Sequence, residues 1–286
     1  MIVYFTYVAI TAAWFFSPVT EIWKPWALAA AIAATIHLLS RKTSPSISPS
    51  ISPSISPSIS VLRDFAPAAF TLAAYREMNW FTPATRDHHL ERVWIVWDRW
   101  LLHDLHLRAA IESVGALLPS YFEICYALVY AVAPASIAFL FANHRRDRMN
   151  TFWIAYLTGT LGAYALFPFF PSEPPRIVFP TADFPNIVTD VRRFNLWIVG
   201  GYGIHSSVFP SAHVSSALSS AWGLGAAIPD RPWIGRLMAF YGVSVAIATI
   251  YGRYHYAADA VAGIAISCVA VAAVHLDRRR FGCHKC

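Results

Sequence analysis

Two histidines and an aspartate stand at spacings that suit work on a phosphate. His255 and Asp259 lie four residues apart in Arg253-Tyr254-His255-Tyr256-Ala257-Ala258-Asp259. In the first turn of a helix that spacing puts both on one face. The carboxylate then takes the proton of one imidazole nitrogen and leaves the other as a lone-pair nucleophile. A helix-capping aspartate beside an interfacial histidine is the plainer reading of the same residues. His213 closes Phe209-Pro210-Ser211-Ala212-His213, just where an apolar segment begins. Ser211 or a neighbour can cap that helix. The free amides at its start, around Ser211 and Ala212, offer a phosphate site at the positive end of the dipole. His213 in the first turn would lie against the anion, placed to protonate a leaving oxygen. The third element is Pro174-Pro175-Arg176.

Arginine binds phosphate in a bidentate manner, and Arg176 and Arg253 are the expected phosphate ligands. Arg192, Arg193 and His205 share the same stretch of chain and are candidates for further phosphate or head-group contacts. For Arg192 and Arg193, solvated loop charge is the favoured reading. Assembled, the parts specify phosphoryl transfer through a phosphohistidine. His255 attacks phosphorus, His213 donates a proton to the departing alkoxide, and arginines stabilise the equatorial oxygens. His213 then deprotonates water or an alcohol. This chemistry needs no metal and no cofactor, and the histidines and carboxylates form no convincing metal-ligand pattern.

Such residues need a scaffold, and the composition says which kind. Of 286 residues, 57% are hydrophobic and 13% charged, against about 25% charged in ordinary soluble domains. Apolar segments long enough to span a bilayer run roughly over 2–19, 24–40, 61–81, 119–142, 150–170, 212–229, 232–252 and 256–276. The expected fold is therefore all-α, a polytopic transmembrane helical bundle of about eight spans. The first segment has neither a basic leader nor a clear cleavage site, so it does not read as a signal peptide.

Residues 1–43 form an N-terminal transmembrane pair, and 44–60 are four tandem Ser-Pro-Ser-Ile copies. Proline at every fourth position opposes helix and favours an extended low-complexity linker. Residues 61–277 are the expected catalytic membrane core, and 278–286 a cytoplasmic tail. Within 82–118, Leu90, Val93, Trp94, Trp97, Trp100, Leu101 and Leu105 recur at helical spacing. An interfacial helix near 89–105 is expected, acting as an anchor in preference to a lid over lipid.

The net charge of +6 comes from 22 Lys+Arg against 16 Asp+Glu. Arg41 and Lys42, then Arg145, Arg146 and Arg148, then Arg231 and Arg236, and finally Arg278 to Arg280 all fall on one side of an eight-span topology. The positive-inside rule makes that side cytoplasmic. Both termini are then cytoplasmic in an inner or cell membrane, and the candidate site faces the periplasmic or extracytoplasmic side. No long basic stripe with interleaved aromatics points to nucleic acid. Cys125 and Cys268 sit in apolar segments as small core residues. Cys283 and Cys286 form a lone C-x-x-C, with a metal or redox role disfavoured.

At these residues the chain resembles the type 2 phosphatidic acid phosphatase superfamily, and within it the inositolphosphotransferase branch related to inositolphosphorylceramide synthase. The resemblance covers about residues 119–276 and more weakly from 61. It rests on Phe-Pro-Ser-Ala-His, on His-Tyr-x-x-Asp and on Pro-Pro-Arg. It implies a six-helix core, a periplasmic or luminal active site and a triad of His213, His255 and Asp259. It also implies a membrane-lipid phosphate donor with water or a lipid alcohol as acceptor. Two departures stand out. Phe169 occupies the place of the family's first lysine, and Ile177 follows Arg176 where the family has proline. Thr249 stands six residues before His255 in place of an arginine. Arg253 lies one turn beyond 249 and would present its guanidinium on a similar face if the helix continued that far. Both departures favour the transferase-like branch. A rival from another class is a polytopic transporter using His213, His255 and Asp259 as a proton relay.

Overall fold

A computed structural model of the chain describes residues 1–15, 21–41, 57–180 and 183–282. The first three Ser-Pro-Ser-Ile copies and the Cys283/Cys286 pair lie outside the described residues. The chain divides into two compact units, Met1–Glu77 and Met78–Cys286. It is all-helical, with no strand among the described residues.

The first unit holds α1 (Ile2–Phe15), α2 (Trp23–Arg41) and α3 (Pro57–Glu77). Pro57–Ile59 of the final copy begin α3, contrary to the expectation of a linker through residue 60. Its Pro57 is the first helical residue, where proline's missing N–H costs nothing and its fixed φ is already suitable.

The second unit begins with α4 (His89–Arg99), which runs into a π turn over Trp100–Asp104, and α5 (Leu107–Glu112). Two long apolar helices follow, α6 (Leu117–Ala142) and α7 (Arg146–Phe169). In α6 a 3-10 turn at Val129–Ala131 precedes Pro134, which has no N–H to continue the ladder. Next come α8 (Asp190–Tyr202) and α9 (Ala212–Ala227), then α10 (Pro232–Tyr251) and α11 (Ala257–Gly282). Among the described residues four helices are long and apolar enough to cross a membrane: α6, α7, α10, and α11 over Ala257–Leu276.

The other expected spans are helical but differ in kind. Helix α1 has 14 residues, and α3 carries Arg63, Asp64, Arg76 and Glu77 around an internal Pro67. Helix α9, at 16 residues, is the centre of the second unit and packs on α7, α10 and α11. Surrounded by protein, it needs no lipid-facing surface, so serine and glycine replace leucine along it. A Cβ at Gly159 of α7 would overlap the Ser219 side chain, so these two helices meet at a distance only small residues allow.

The polar region over 82–118 ties down the chain that follows α7. Glu91 accepts from the Glu173 amide at 2.9 Å, and Glu173 pairs with Arg86 at 2.7 Å. Asp183 is held by Arg99 and His103, Arg108 donates to the Phe184 carbonyl, and Glu112 binds Asn186 through both oxygens. The chain is thus tied at Glu173, Asp183, Phe184 and Asn186 to α4, its π turn and α5, and it leads into α8, a helix the sequence reading did not expect.

Candidate active site

The segment bearing His255, the candidate nucleophile, lies between α10 and α11. Gly252 caps α10, and Arg253 then adopts a left-handed φ of 61°. The helix therefore does not continue to Arg253 as the sequence reading required. The amides of Tyr254 and His255 both return to the Thr249 carbonyl, at 2.9 and 3.1 Å. His255 consequently sits just before α11, not in its first turn. Its contact with Asp259 is nevertheless present, with Nδ1 to Oδ2 at 3.2 Å. The same Asp259 oxygen accepts from the Tyr256 amide at 3.0 Å, so the carboxylate serves both as helix cap and as partner of the imidazole.

His213 lies in the first turn of α9. Its ring is 5.5 Å from that of His255, centroid to centroid, at 85°. Tyr126 and Tyr130 of α6 meet His213 edge-on at 5.2 and 5.5 Å. What joins the two histidine-bearing elements is a close approach: the Ser211 amide donates to the Asp259 carbonyl at 2.9 Å, and a Cβ on Gly263 would lie 2.6 Å from the Ser211 oxygen. Only glycine at 263 lets α11 pass this near the start of α9.

Ser211 is the N-cap of α9, its side chain accepting from the Val214 amide at 3.4 Å. Its own amide is committed to Asp259. Among the described residues, the amides of Ala212 and His213 have no backbone acceptor. They are the donors this helix start can turn toward an anion.

The candidate arginines separate into different places. Arg176 is half-buried in a short helical turn, Pro175–Val178, with its guanidinium 5.6 Å from the Tyr254 ring centre. It makes no ion pair among the described residues. Its charge and, above all, burial push His255 down to about 3, with a backbone hydrogen bond to Val208 acting in the other direction. The ring is therefore neutral at ordinary pH, as a nucleophile must be. Arg253 is fully buried and bonded to Asp98 at 2.6 Å. Arg192 is buried too, against the solvated-charge reading. It pairs with Glu123 at 2.8 Å and donates to the Gly252 carbonyl at 3.1 Å. Arg193 is exposed and pairs with Asp190. The exposed His205 is held through its backbone, donating to Asn79 and accepting from Arg86.

A cavity of about 350 Å³ opens beside this centre, lined by Arg176, Arg192, Glu173 and His205 among apolar Leu196, Val199, Ile204 and Val208. Arg176 and Val208 belong to its wall and also act on His255, although neither His255 nor His213 lines it. Neither Arg253 nor Arg193 lines it. Among the described residues no group of three or more His, Cys, Asp or Glu is arranged to hold a metal ion.

Three acidic residues were not singled out from the sequence. Glu123 accepts from Arg192, from Asn195 at 2.7 Å and from the Tyr254 hydroxyl at 2.7 Å. Asp98 and Glu91 lie on the buried face of α4 with Trp94 and Ile95, whereas Val93, Val96, Trp97 and Trp100 are exposed. The signal was available. Positions 91, 94, 95 and 98 form one helical stripe, but the stripe read as apolar shared only Trp94 with it.

The family model described as the PAP2 superfamily matches residues 92–273 of the chain. No curated protein and no solved structure matches it.

Proposed function

Since the chain belongs to the PAP2 superfamily, we propose that it is an integral-membrane lipid phosphate phosphatase or phosphotransferase working through a phosphohistidine. The observation that carries this reading is the pairing of His213 and His255, rings 5.5 Å apart, with Asp259 behind the second. Asp259 holds the Nδ1 proton, so Nε2 carries the lone pair. Nε2 attacks phosphorus, the bond from phosphorus to the head-group or lipid alkoxide breaks, and His213 delivers a proton to the departing oxygen. Arg176 and the amides of Ala212 and His213 stabilise the equatorial oxygens. In the second half His213 takes the proton of water or an alcohol, whose oxygen bonds to phosphorus as the P–N bond breaks. No step requires a metal.

The finer reading is transfer or hydrolysis of a phospho-alcohol, phosphoinositol-like, head group at the outer membrane face, with both termini cytoplasmic. The Phe-Pro-Ser-Ala-His and His-Tyr-x-x-Asp elements and the sorting of arginines onto short loops support it. The histidines lie at helix starts, whereas a transporter's proton relay would be expected near the bilayer midplane. The test is turnover by purified protein in lipid nanodiscs with labelled phosphatidylinositol and either ceramide or diacylglycerol, products resolved by mass spectrometry. Labelled lipid product indicates transfer and free inositol phosphate indicates hydrolysis. Absence of both across a panel of lipid phosphates overturns the reading.

A further inference from the structure

The acid that organises the nucleophile's segment is contributed by the interfacial helix. Asp98 of α4 is fully buried. Its Oδ2 accepts from Arg253 Nη1 at 2.6 Å, and its Oδ1 accepts from the Ala257 amide at 2.8 Å. Arg253 is two residues before His255 and Ala257 two residues after it. The two oxygens of one carboxylate therefore hold both ends of the five-residue turn that presents the imidazole. Among the described residues, Asp98 is the sole acceptor for the Arg253 side chain, since Nε and Nη2 are buried without a hydrogen-bond partner. The carbonyl of Arg253 in turn accepts from the Arg176 amide at 3.3 Å, which extends the hold to the arginine in the cavity wall. A non-glycine residue at φ 61° persists only where its surroundings impose it, and the Asp98 contact supplies that restraint.

From this we infer that Asp98 is a positioning residue that brackets the His255 turn, and that Arg253 serves as its counterpart in the bracket and not as a phosphate ligand. The inference rests on the proposed role of His255 for its kinetic consequence, though not for the geometry. An imidazole displaced by about 1 Å costs about 100-fold in rate, and a positioning loss appears in kcat and not in KM.

The experiment compares wild type, Asp98→Asn and the paired replacement Asp98→Leu with Arg253→Met, all full-length in nanodiscs. A buried ion pair replaced by apolar residues of similar size generally keeps its fold, so the pair separates folding from positioning. Expected is a fall in kcat of about 100-fold in both variants, with KM nearly unchanged and the thermal midpoint of the paired variant close to wild type. Amide hydrogen exchange over 254–258 is expected to quicken in both, because leucine removes the acceptor of the Ala257 amide and the single carbonyl oxygen of asparagine cannot serve Ala257 and Arg253 together. A folded paired variant with wild-type kcat overturns the inference. If wild type turns over no phospholipid, the functional reading fails separately and the exchange result decides alone: unchanged protection over 254–258 overturns the bracket.

Discussion

Arg192 and Glu123 meet inside the protein, Nη1 to Oε1 at 2.8 Å, with neither side chain more than 5% exposed. The pair joins α8 to α6 and reaches the active-site turn, since Glu123 also takes the Tyr254 hydroxyl and Arg192 the Gly252 carbonyl. Tyr254 is further fixed by stacking on Tyr126 at 3.8 Å. Removing one member strands a buried charge, which costs about 3–5 kcal/mol. Arg192→Ala and Glu123→Ala should each lower stability by that order, and the double substitution by less than the sum. Denaturant or thermal unfolding in detergent, arranged as a double-mutant cycle, measures the coupling. Additive losses would show that the two groups are energetically independent.

His255→Ala is expected to abolish turnover, with vanadate no longer protecting the protein against thermal unfolding. Asp259→Asn keeps the shape but removes the charge and turns one acceptor oxygen into a donor, so the Nδ1–H tautomer is no longer enforced. It should lower kcat by about 10²–10⁴-fold. Burst measurement of phosphohistidine under acid-free quench distinguishes lost attack from slow release. Substantial turnover in His255→Ala would refute the covalent route.

Arg176 is the half-buried arginine of the cavity wall that has no carboxylate partner among the described residues. Arg176→Ala should reduce kcat by about 10²–10³-fold, the usual cost of one donor to developing negative charge. Lysine should restore part of it, because a point charge replaces a bidentate fork. Steady-state kinetics on a lipid phosphate checks both; an alanine variant with intact kcat would remove Arg176 from the phosphate site.

Burial and Arg176 hold His255 at about 3, below the ordinary 6.5 of an unfolded histidine. Between those values the unfolded chain binds a proton that the folded chain refuses. Stability should therefore fall as pH drops from 6.5 toward 3, by about 1.4 kcal/mol per pH unit from this group. His255→Gln, which has no such proton to gain, should show a flatter decline. Parallel pH–unfolding curves for the two proteins would contradict the assignment.

Gly263→Ala places a carbon 2.6 Å from the Ser211 oxygen and should separate α11 from the start of α9. We expect a loss of activity larger than any loss of stability. At Gly201 an added Cβ meets nothing within 4 Å, so Gly201→Ala serves as the matched control. Equal effects at both positions would show that the close approach is unimportant.

The parts of this site that are local in the chain were legible in the sequence. The spacing of His255 and Asp259, Ser211 ahead of an apolar run, and the arginine after two prolines can all be read in short windows, because helix caps and i,i+4 contacts are short-range. The parts that depend on distant residues were not. Asp98 meets Arg253 across 155 positions, and no periodicity announces such a partner. Arg253 and Arg192 look like outer-face charges in sequence, whereas each is buried on an acid from another helix. The apolar runs predicted the helices well. They overstated the similarity among them, because a central helix such as α9 is packed by protein and obeys different compositional rules from α6 or α10.

The Asp98 contact also orders the protein's birth. Asp98 is synthesised 155 residues ahead of Arg253, an interval of roughly 10–30 s at ordinary ribosomal speed. Through that interval neither the Arg253 guanidinium nor the Ala257 amide exists for the carboxylate to meet. The half-made chain can therefore insert its early helices and bind lipid without touching a phosphate bond. On the proposed mechanism, competence toward a phosphate ester arrives only when the last long helix joins the bundle, and a truncated or stalled product lacks it.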